Sequence, residues 1–562
     1  MFRFYVRSIW GKPSRLYSTN RMEAASASQS KVISPAVLGL RSKTSIVSAI
    51  LAGGLLRAWM FYHFFETNGD PQVYGDIAKN LLLHARYALS VGSGQAFPTL
   101  IRLPGYPVFL ALCFRLFGIG NYTAVVWVQI AMELAGCLFL ADFARRIAPL
   151  ELKTGAMHAA LWLAALCPFT AVYAASPLTE GPTVFVLALA LWSAARFQEG
   201  PAWGSALSFT FAVTFAALLR PDGALAAIAL APALFLGLRK AARPRPTPRL
   251  IRMAVVCGLL ALAPFAAWTW RNGRVFHVFQ PLAPRSATDP GDPLTPGWDR
   301  WVKTWCLDFV STYNVVWNVP GDELDLARLP GRAFDSPSQH GETAALAKEY
   351  NTNGYNLTPQ IDAGFARLAA DRIAAHPLRY YLWLPLGRVA DMWLRPRVEN
   401  LPIDLDWWVY ARHHVETRFS WAYVVLNALY LLLGVAGLCL RPRFWGWMLA
   451  YMLLRSALLL TVVPPEARYT LECFPMLFAL GGVALARFLS TASGHLKNRI
   501  ARPLPIDKLR LVIRLESKCV CRQRQIDFDI GISADARLSL TLVKELLQAH
   551  PARWIDPDRH FG

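Results

Sequence analysis

Apolar residues along this chain gather into runs of bilayer length rather than alternating with polar ones. A helix needs about 20 mostly apolar residues to cross roughly 30 Å of hydrocarbon. Runs of that kind, some a little shorter, occupy 46–65, 122–143, 155–175, 181–196, 202–219, 223–238, 253–270, 419–440, 444–463 and 470–488. The pattern predicts an all-α polytopic membrane protein with about ten transmembrane helices. Two connections are long: an outer loop at 66–121 and a large outer region at 271–418. In the first, Tyr74, Ile77, Ala78, Leu81 and Leu82 recur at helical spacing, so 72–86 is expected to lie along the membrane surface. Pro104 and Pro107 start a second interfacial helix. The segment 378–394 is apolar enough to span but contains Arg388 and Asp391. A crossing there would reverse the sidedness of everything after it, so it is read as an amphipathic helix at the outer interface.

Charge sets the orientation. With the N-terminus in the cytoplasm, 20 Lys and Arg fall in the inward stretches 1–45, 144–154, 196–201, 239–252 and 441–443, against 6 in the outward stretches 66–121, 176–180, 220–222 and 464–469, as the positive-inside rule requires. Both termini are then cytoplasmic, and 66–121 and 271–418 face the far side of a plasma membrane. Composition agrees: of 562 residues, 54% are hydrophobic and 17% charged, and mean hydropathy is +0.31. These values exclude a disordered, collagenous or small disulfide-rich chain. The net charge of +21 follows largely from the orientation rule, so it does not point to nucleic acid. Three parts result: a basic tail at 1–43, a membrane domain at 44–490, and a C-terminal tail at 491–562 with a Pro-bounded linker and a helix expected at 538–549. The first 30 residues also fit a transit-type leader, or a start at Met22. No internal repeat is visible, which counts against an inverted-repeat transporter.

Cys113, Cys137, Cys167, Cys257, Cys439 and Cys473 sit in apolar stretches as packing residues, and Cys306 is alone in the large outer region. Cys519 and Cys521 form a lone CxC pair, below the threshold for a zinc site. His413 and His414 read as interfacial rather than as ligands. No metal or cofactor is assigned.

The ionisable residues at the outer boundary carry the chemistry, because desolvation makes them costly without a task or a partner. Asp70 stands in ETNGDPQVYGDIAKNLL, Arg102 in IRLPGYPVFLALCFRLFG, Glu180 in SPLTEG, Arg220 and Asp222 in RPDG, Arg271 in WRNG and Arg468 in PPEARY. Singly, each fits a turn or a headgroup contact. Together they bring a carboxylate base and several cations to one side of the membrane, at headgroup depth.

The ordered series of these pieces, over about 44–490, resembles the GT-C membrane glycosyltransferases that use polyprenyl-phosphate sugars. That group holds the protein O-mannosyltransferases, the lipid A aminoarabinose transferases and the RgtA/B/C/D-like lipopolysaccharide sugar transferases. The resemblance implies an inverting glycosyltransferase that moves a monosaccharide from a polyprenyl-phosphate carrier to a hydroxyl of lipopolysaccharide, a lipid-linked glycan or a protein. It implies Asp70 as general base, with Asp76 as the alternative, and Glu180 as the second acid, holding the acceptor or sharing the base role. Arg102 would bind the donor phosphate, with Arg220 and Arg468 as further candidates by position. Tyr74 and Arg271 would support the site. The chain departs from many relatives in having Pro71 after the acid. The alternative function is a carrier or flippase for a lipid-linked sugar, which would need polar groups at mid-span, where the acids are few, chiefly Glu133.

Overall fold

A computed structural model describes residues 35–91, 94–242, 247–284 and 288–500. The chain divides into two compact units, Met1–Lys497 and Asn498–Gly562; the membrane helices and the long loops between them belong to the first. The expectations for the N-terminal tail before residue 35, the 538–549 helix and Cys519/Cys521 lie outside the described residues.

The described chain is mostly helical, and each apolar run of the sequence falls in helix, the 155–175 run in two. Six helices are long and apolar enough to cross a membrane: Ser42–Phe64, Tyr122–Ile147, Pro221–Ala241, Pro248–Phe276, Tyr410–Cys439 and Ala467–Ala492. Leu150–Ala165 and Pro168–Ala174, bent by 54° where they meet, form a seventh if counted as one broken span. The other three expected spans fall short of that standard. Trp203–Leu219 and Trp445–Leu459 have 17 and 15 residues, and Glu180–Glu199 carries Glu180, Arg196 and Glu199 at its ends. The Glu180–Glu199 helix is nonetheless largely enclosed, packing against Tyr122–Ile147 and Trp203–Leu219.

The break in the 150–174 span has a physical support. A helix that ends inside a membrane leaves carbonyls unpaired, and each costs several kcal/mol in hydrocarbon. Arg57 supplies the missing donors. Its Nη1 donates to Ala165 O at 2.7 Å and to Gly53 O at 2.9 Å, its Nη2 to Ala164 O at 3.4 Å, and its Nε to Glu133 Oε2 at 2.9 Å. Both side chains of this ion pair are buried. Glu133, the chief of the few mid-span acids, is therefore a structural counter-ion. Arg57→Met should destabilise the protein by about 3–5 kcal/mol, because it leaves a buried carboxylate uncompensated, whereas the double variant Arg57→Met/Glu133→Leu should recover much of that loss. Thermal unfolding in detergent reads the difference; equal melting temperatures for the single variant and the parent would refute the assignment.

The first long loop holds both expected surface helices, Asp70–His84 and Gly105–Phe117, and between them a hairpin that the pattern did not foretell: Ala88–Val91 pairs antiparallel with Gln95–Pro98. Gly75 lets the first helix press onto the Tyr122 ring, since a Cβ there would overlap the Tyr122 hydroxyl at 1.7 Å.

The 271–418 region has an apolar centre of its own, built on Trp298, Trp301, Trp305, Tyr350, Ile361 and Phe365. The helices Pro296–Lys303 and Pro359–Ala375 pack together there, and the Asp362 carboxylate accepts from the Gly297 and Trp298 backbone amides at 3.0 and 2.8 Å. The 378–394 segment is a π-helical turn, Arg379–Trp383, followed by the α-helix Leu384–Leu394, too short to count among the spans. Arg388 is buried and donates to the carbonyls of Cys306, Lys303 and Val462. Tyr381, Trp383, Leu386 and Leu394 are exposed on the same segment. One face thus ties the region to the helices while aromatic and aliphatic side chains point outward, an arrangement suited to an interface.

Candidate active site

Sequence-distant elements end at one place. Gly69, at φ 72°, turns the chain into the helix that Asp70 and Pro71 begin. Arg102 lies in the turn before Gly105–Phe117, where its carbonyl accepts from the Tyr87 hydroxyl at 3.0 Å. Glu180 opens its helix, Arg220 closes Trp203–Leu219, and Asp222 sits in the 3-10 turn Pro221–Gly223. Arg468, Tyr469 and Glu472 belong to the 3-10 segment Ala467–Cys473. Arg397 pins that segment: its buried guanidinium donates to Ala467 O at 2.8 Å and Thr470 Oγ1 at 2.6 Å.

These residues surround a cavity of about 1190 Å³ whose wall includes Asp70, Tyr74, Arg102, Glu180, Arg220 and Arg468. Asp70 lies between two cations, with Oδ1 accepting from Arg102 Nη2 at 2.8 Å and Oδ2 3.5 Å from Arg468 Nη1. Glu180 Oε1 lies 3.1 Å from Arg220 Nη1 and 3.7 Å from Arg468 Nη1. Arg220 Nε also approaches Asp222 at 3.3 Å and Glu472 at 3.0 Å. The Tyr74 ring lies under Arg102, and the Tyr469 ring is within 5.5 Å of Arg220 and 5.7 Å of Arg468. Arg102 Nε is buried and has no hydrogen-bond partner among the described residues.

Electrostatics follow from this crowding. Burial works to raise the Asp70 carboxyl, but the Arg468 and Arg102 guanidiniums outweigh it and hold the group below the usual carboxylate range. Burial pushes the Tyr74 phenol up to about 12. The Glu466 carboxyl is raised by burial despite Arg468 beside it.

Two sequence candidates stand elsewhere. Asp76, the alternative base, is outside the cavity lining; its Oδ2 accepts from the Ser90 amide at 2.6 Å and Asn80 Nδ2 at 3.2 Å, fastening the hairpin to the helix. Arg271 is also outside it. Its guanidinium donates to Tyr87 O at 2.7 Å and Thr99 O at 2.8 Å and lies over the rings of Tyr87, Trp268 and Phe276. Both hold the loop that presents Arg102.

The sequence reading missed Arg455, Glu466 and Glu472. Arg455 is fully buried, paired with Asp222 and, at 3.1 Å, with Glu472. Its signal was a lone charge inside the apolar 444–463 run, the kind that marks an intramembrane partner. As for metal, Asp404, Asp406 and His413 form a group with ligand atoms within 4.8 Å of one another. It lies apart from the cavity lining, with the His413 ring nitrogens 3.3 Å from Asp404 and 3.0 Å from Asp406.

Residues 102–268 match the model of the dolichyl-phosphate-mannose-protein mannosyltransferase family. No curated protein matches the chain in sequence. Among solved structures it is similar to the oligosaccharyltransferase AglB of Archaeoglobus fulgidus in complex with an inhibitory peptide and a dolichol-phosphate. That match has 11% identity and a TM-score of 0.41, and covers 91% of this chain and 55% of that one. It is also similar to ArnT from Cupriavidus metallidurans bound to undecaprenyl phosphate, with 14% identity, TM-score 0.33, and 84% and 81% covered. The chain spans about half the length of the archaeal oligosaccharyltransferase. The chain is thus a mostly helical protein with several helices able to cross a membrane, similar from Arg102 to Trp268 to the dolichyl-phosphate-mannose-protein mannosyltransferases.

Proposed function

We propose that the protein transfers a monosaccharide from a polyprenyl-phosphate carrier to an acceptor hydroxyl, with inversion, on the outer face of a plasma membrane. The observation that carries this reading is the convergence of Asp70, Arg102, Glu180, Arg220 and Arg468 on one cavity, with Asp70 held between two arginines. Support for the donor comes from the family match, and support for the outer face from the charge asymmetry of the loops.

Asp70 takes the proton of the acceptor hydroxyl as that oxygen bonds to the anomeric carbon. The bond from that carbon to the phosphate oxygen breaks on the opposite side, and the lipid phosphate leaves with the electron pair. Phosphate needs little help to leave beyond fixed positive charge, which Arg102 and Arg468 supply as charge-assisted donors. Glu180, fixed by Arg220 and near Arg468, holds those guanidiniums in place. When the donor phosphate engages Arg102 and Arg468, their pull on Asp70 weakens and the base strengthens where it is needed.

This exchange has a pH signature. Asp70 works deprotonated, so activity falls as pH drops through its pKa. The acid limb of kcat/KM, which reports the free enzyme, should lie below the ordinary value of about 3.9. The limb of kcat, which reports the loaded enzyme, should lie higher. Coincident limbs would refute the exchange. The function itself is tested with radiolabelled polyprenyl-phosphate sugars and membrane extracts as acceptor, using purified protein in nanodiscs; no protein-dependent transfer from any donor of the panel would overturn the reading.

A further inference from the structure

A second cavity, of about 580 Å³, adjoins the first and shares with it the wall formed by Arg220, Asp222 and Tyr469. Its other side is the Pro296–Lys303 helix, which contributes Asp299, Arg300 and Lys303, and the remainder includes Leu294, Leu459 and Tyr380. The two cavities differ in charge. Carboxylates crowd the larger one, where Glu66, Glu399 and Glu466 add to Asp70, Glu180 and Asp222. The smaller has two carboxylates. Asp222 is held by Arg455 and Arg220, and Asp299 has a partner of its own, as does Lys303. Arg300 is exposed and pairs with no carboxylate among the described residues. An amphiphile entering here therefore meets apolar walls and a guanidinium with no carboxylate partner among the described residues, across the Arg220 wall from the larger cavity.

We propose that this second cavity receives an anionic group of the acceptor, a phosphate or carboxylate, remote from the hydroxyl that reacts at Asp70. The proposal rests on the transferase reading above and adds to it the chemical class of the acceptor. Because Asp70, Arg102 and Arg468 line only the larger cavity, the reacting ends meet there, and the acceptor's anionic end is gripped across the Arg220 wall. Binding energy gathered at that distance orients the hydroxyl without touching the bond being made.

The test uses purified protein in phosphatidylcholine nanodiscs and three probes: undecaprenyl phosphate, a phosphorylated glycolipid (lipid A), and the same glycolipid stripped by phosphatase. The parent protein should bind the phosphorylated glycolipid about tenfold more tightly than the stripped form, the size expected of one charge-assisted contact. Arg300→Glu should erase that preference and leave undecaprenyl phosphate binding unchanged, and Arg300→Gln should fall between. Since Arg300 is exposed, neither change disturbs the packing. A preference that survives Arg300→Glu, no preference in the parent, or equal competition by phosphatidylglycerol would overturn the proposal. So would loss of undecaprenyl phosphate binding in Arg300→Glu, which would assign the cavity to the donor. The transferase reading fails separately, if no donor of the labelled panel supports protein-dependent transfer.

Discussion

Asp70→Asn is expected to abolish transfer while the protein still accumulates in the membrane. The amide keeps the side chain's shape and still accepts from Arg102, but it cannot take a proton. Loss of a positioned general base costs about 10²–10⁴ in rate. Asp70 is about a third exposed, so the melting temperature should move little. The comparison variant is Asp76→Asn, which should keep turnover and only loosen the hairpin, because its carboxylate bonds the Ser90 amide and the Asn80 side chain. Transfer assays and thermal melts on the same preparations separate the two. An active Asp70→Asn beside a dead Asp76→Asn would move the base to Asp76; two active variants would end the mechanism.

The second large effect belongs to Arg102. Removing its guanidinium takes away a charge-assisted contact to phosphate, worth roughly 1.5–3 kcal/mol, so Arg102→Ala should weaken donor binding by about one to two orders of magnitude. Turnover at saturating donor should fall as well, because the same group stabilises the departing phosphate. Arg102→Lys should recover part of the affinity, since a point charge remains without the planar fork. Acceptor affinity should barely change. Donor titrations in nanodiscs decide the matter: unchanged affinity and turnover in Arg102→Ala would mean that the side chain serves only Asp70 and the lipid headgroups.

Hydropathy was a sufficient guide to where helices lie, because in hydrocarbon every backbone group must be paired within its own segment. It was a poor guide to which of them span, since a run such as 202–219 looks the same whether its helix is long enough to cross or stops at Arg220. Boundary charges were legible one by one, as Asp70, Glu180, Arg220 and Arg468 each stood beside an apolar run and Arg102 before the Pro104 helix start. Their pairing was not, because it depends on which helix ends meet, and this is decided by packing between segments up to several hundred residues apart. Arg271 and Asp76 show the limit of reading by position. Each has the right residue type near the right boundary, yet Asp76 bonds the Ser90 amide and Asn80, and Arg271 the Tyr87 and Thr99 carbonyls that flank the hairpin, a small feature with no strong sequence period. Arg455 shows the reverse: a buried charge hidden in an apolar run, overlooked because that run was read for length.

The pairing of Arg102, Arg220 and Arg468 with carboxylates around the larger cavity also bears on the end of the proposed reaction. The donor is a phosphodiester with a single negative charge. The spent carrier left behind is a monoester with about −1.5 to −2 at neutral pH, as for phosphate monoesters generally. A site of bare arginines would hold the spent carrier more tightly than the donor and stall after one turnover. Asp70 and Glu180 stand ready to reclaim the guanidiniums, so they compete with the product for its own binding groups. In the proposed reaction, neutralised arginines would thus limit product inhibition at the cost of some donor affinity, and the spent carrier would be driven out by the carboxylates that flank its own binding groups.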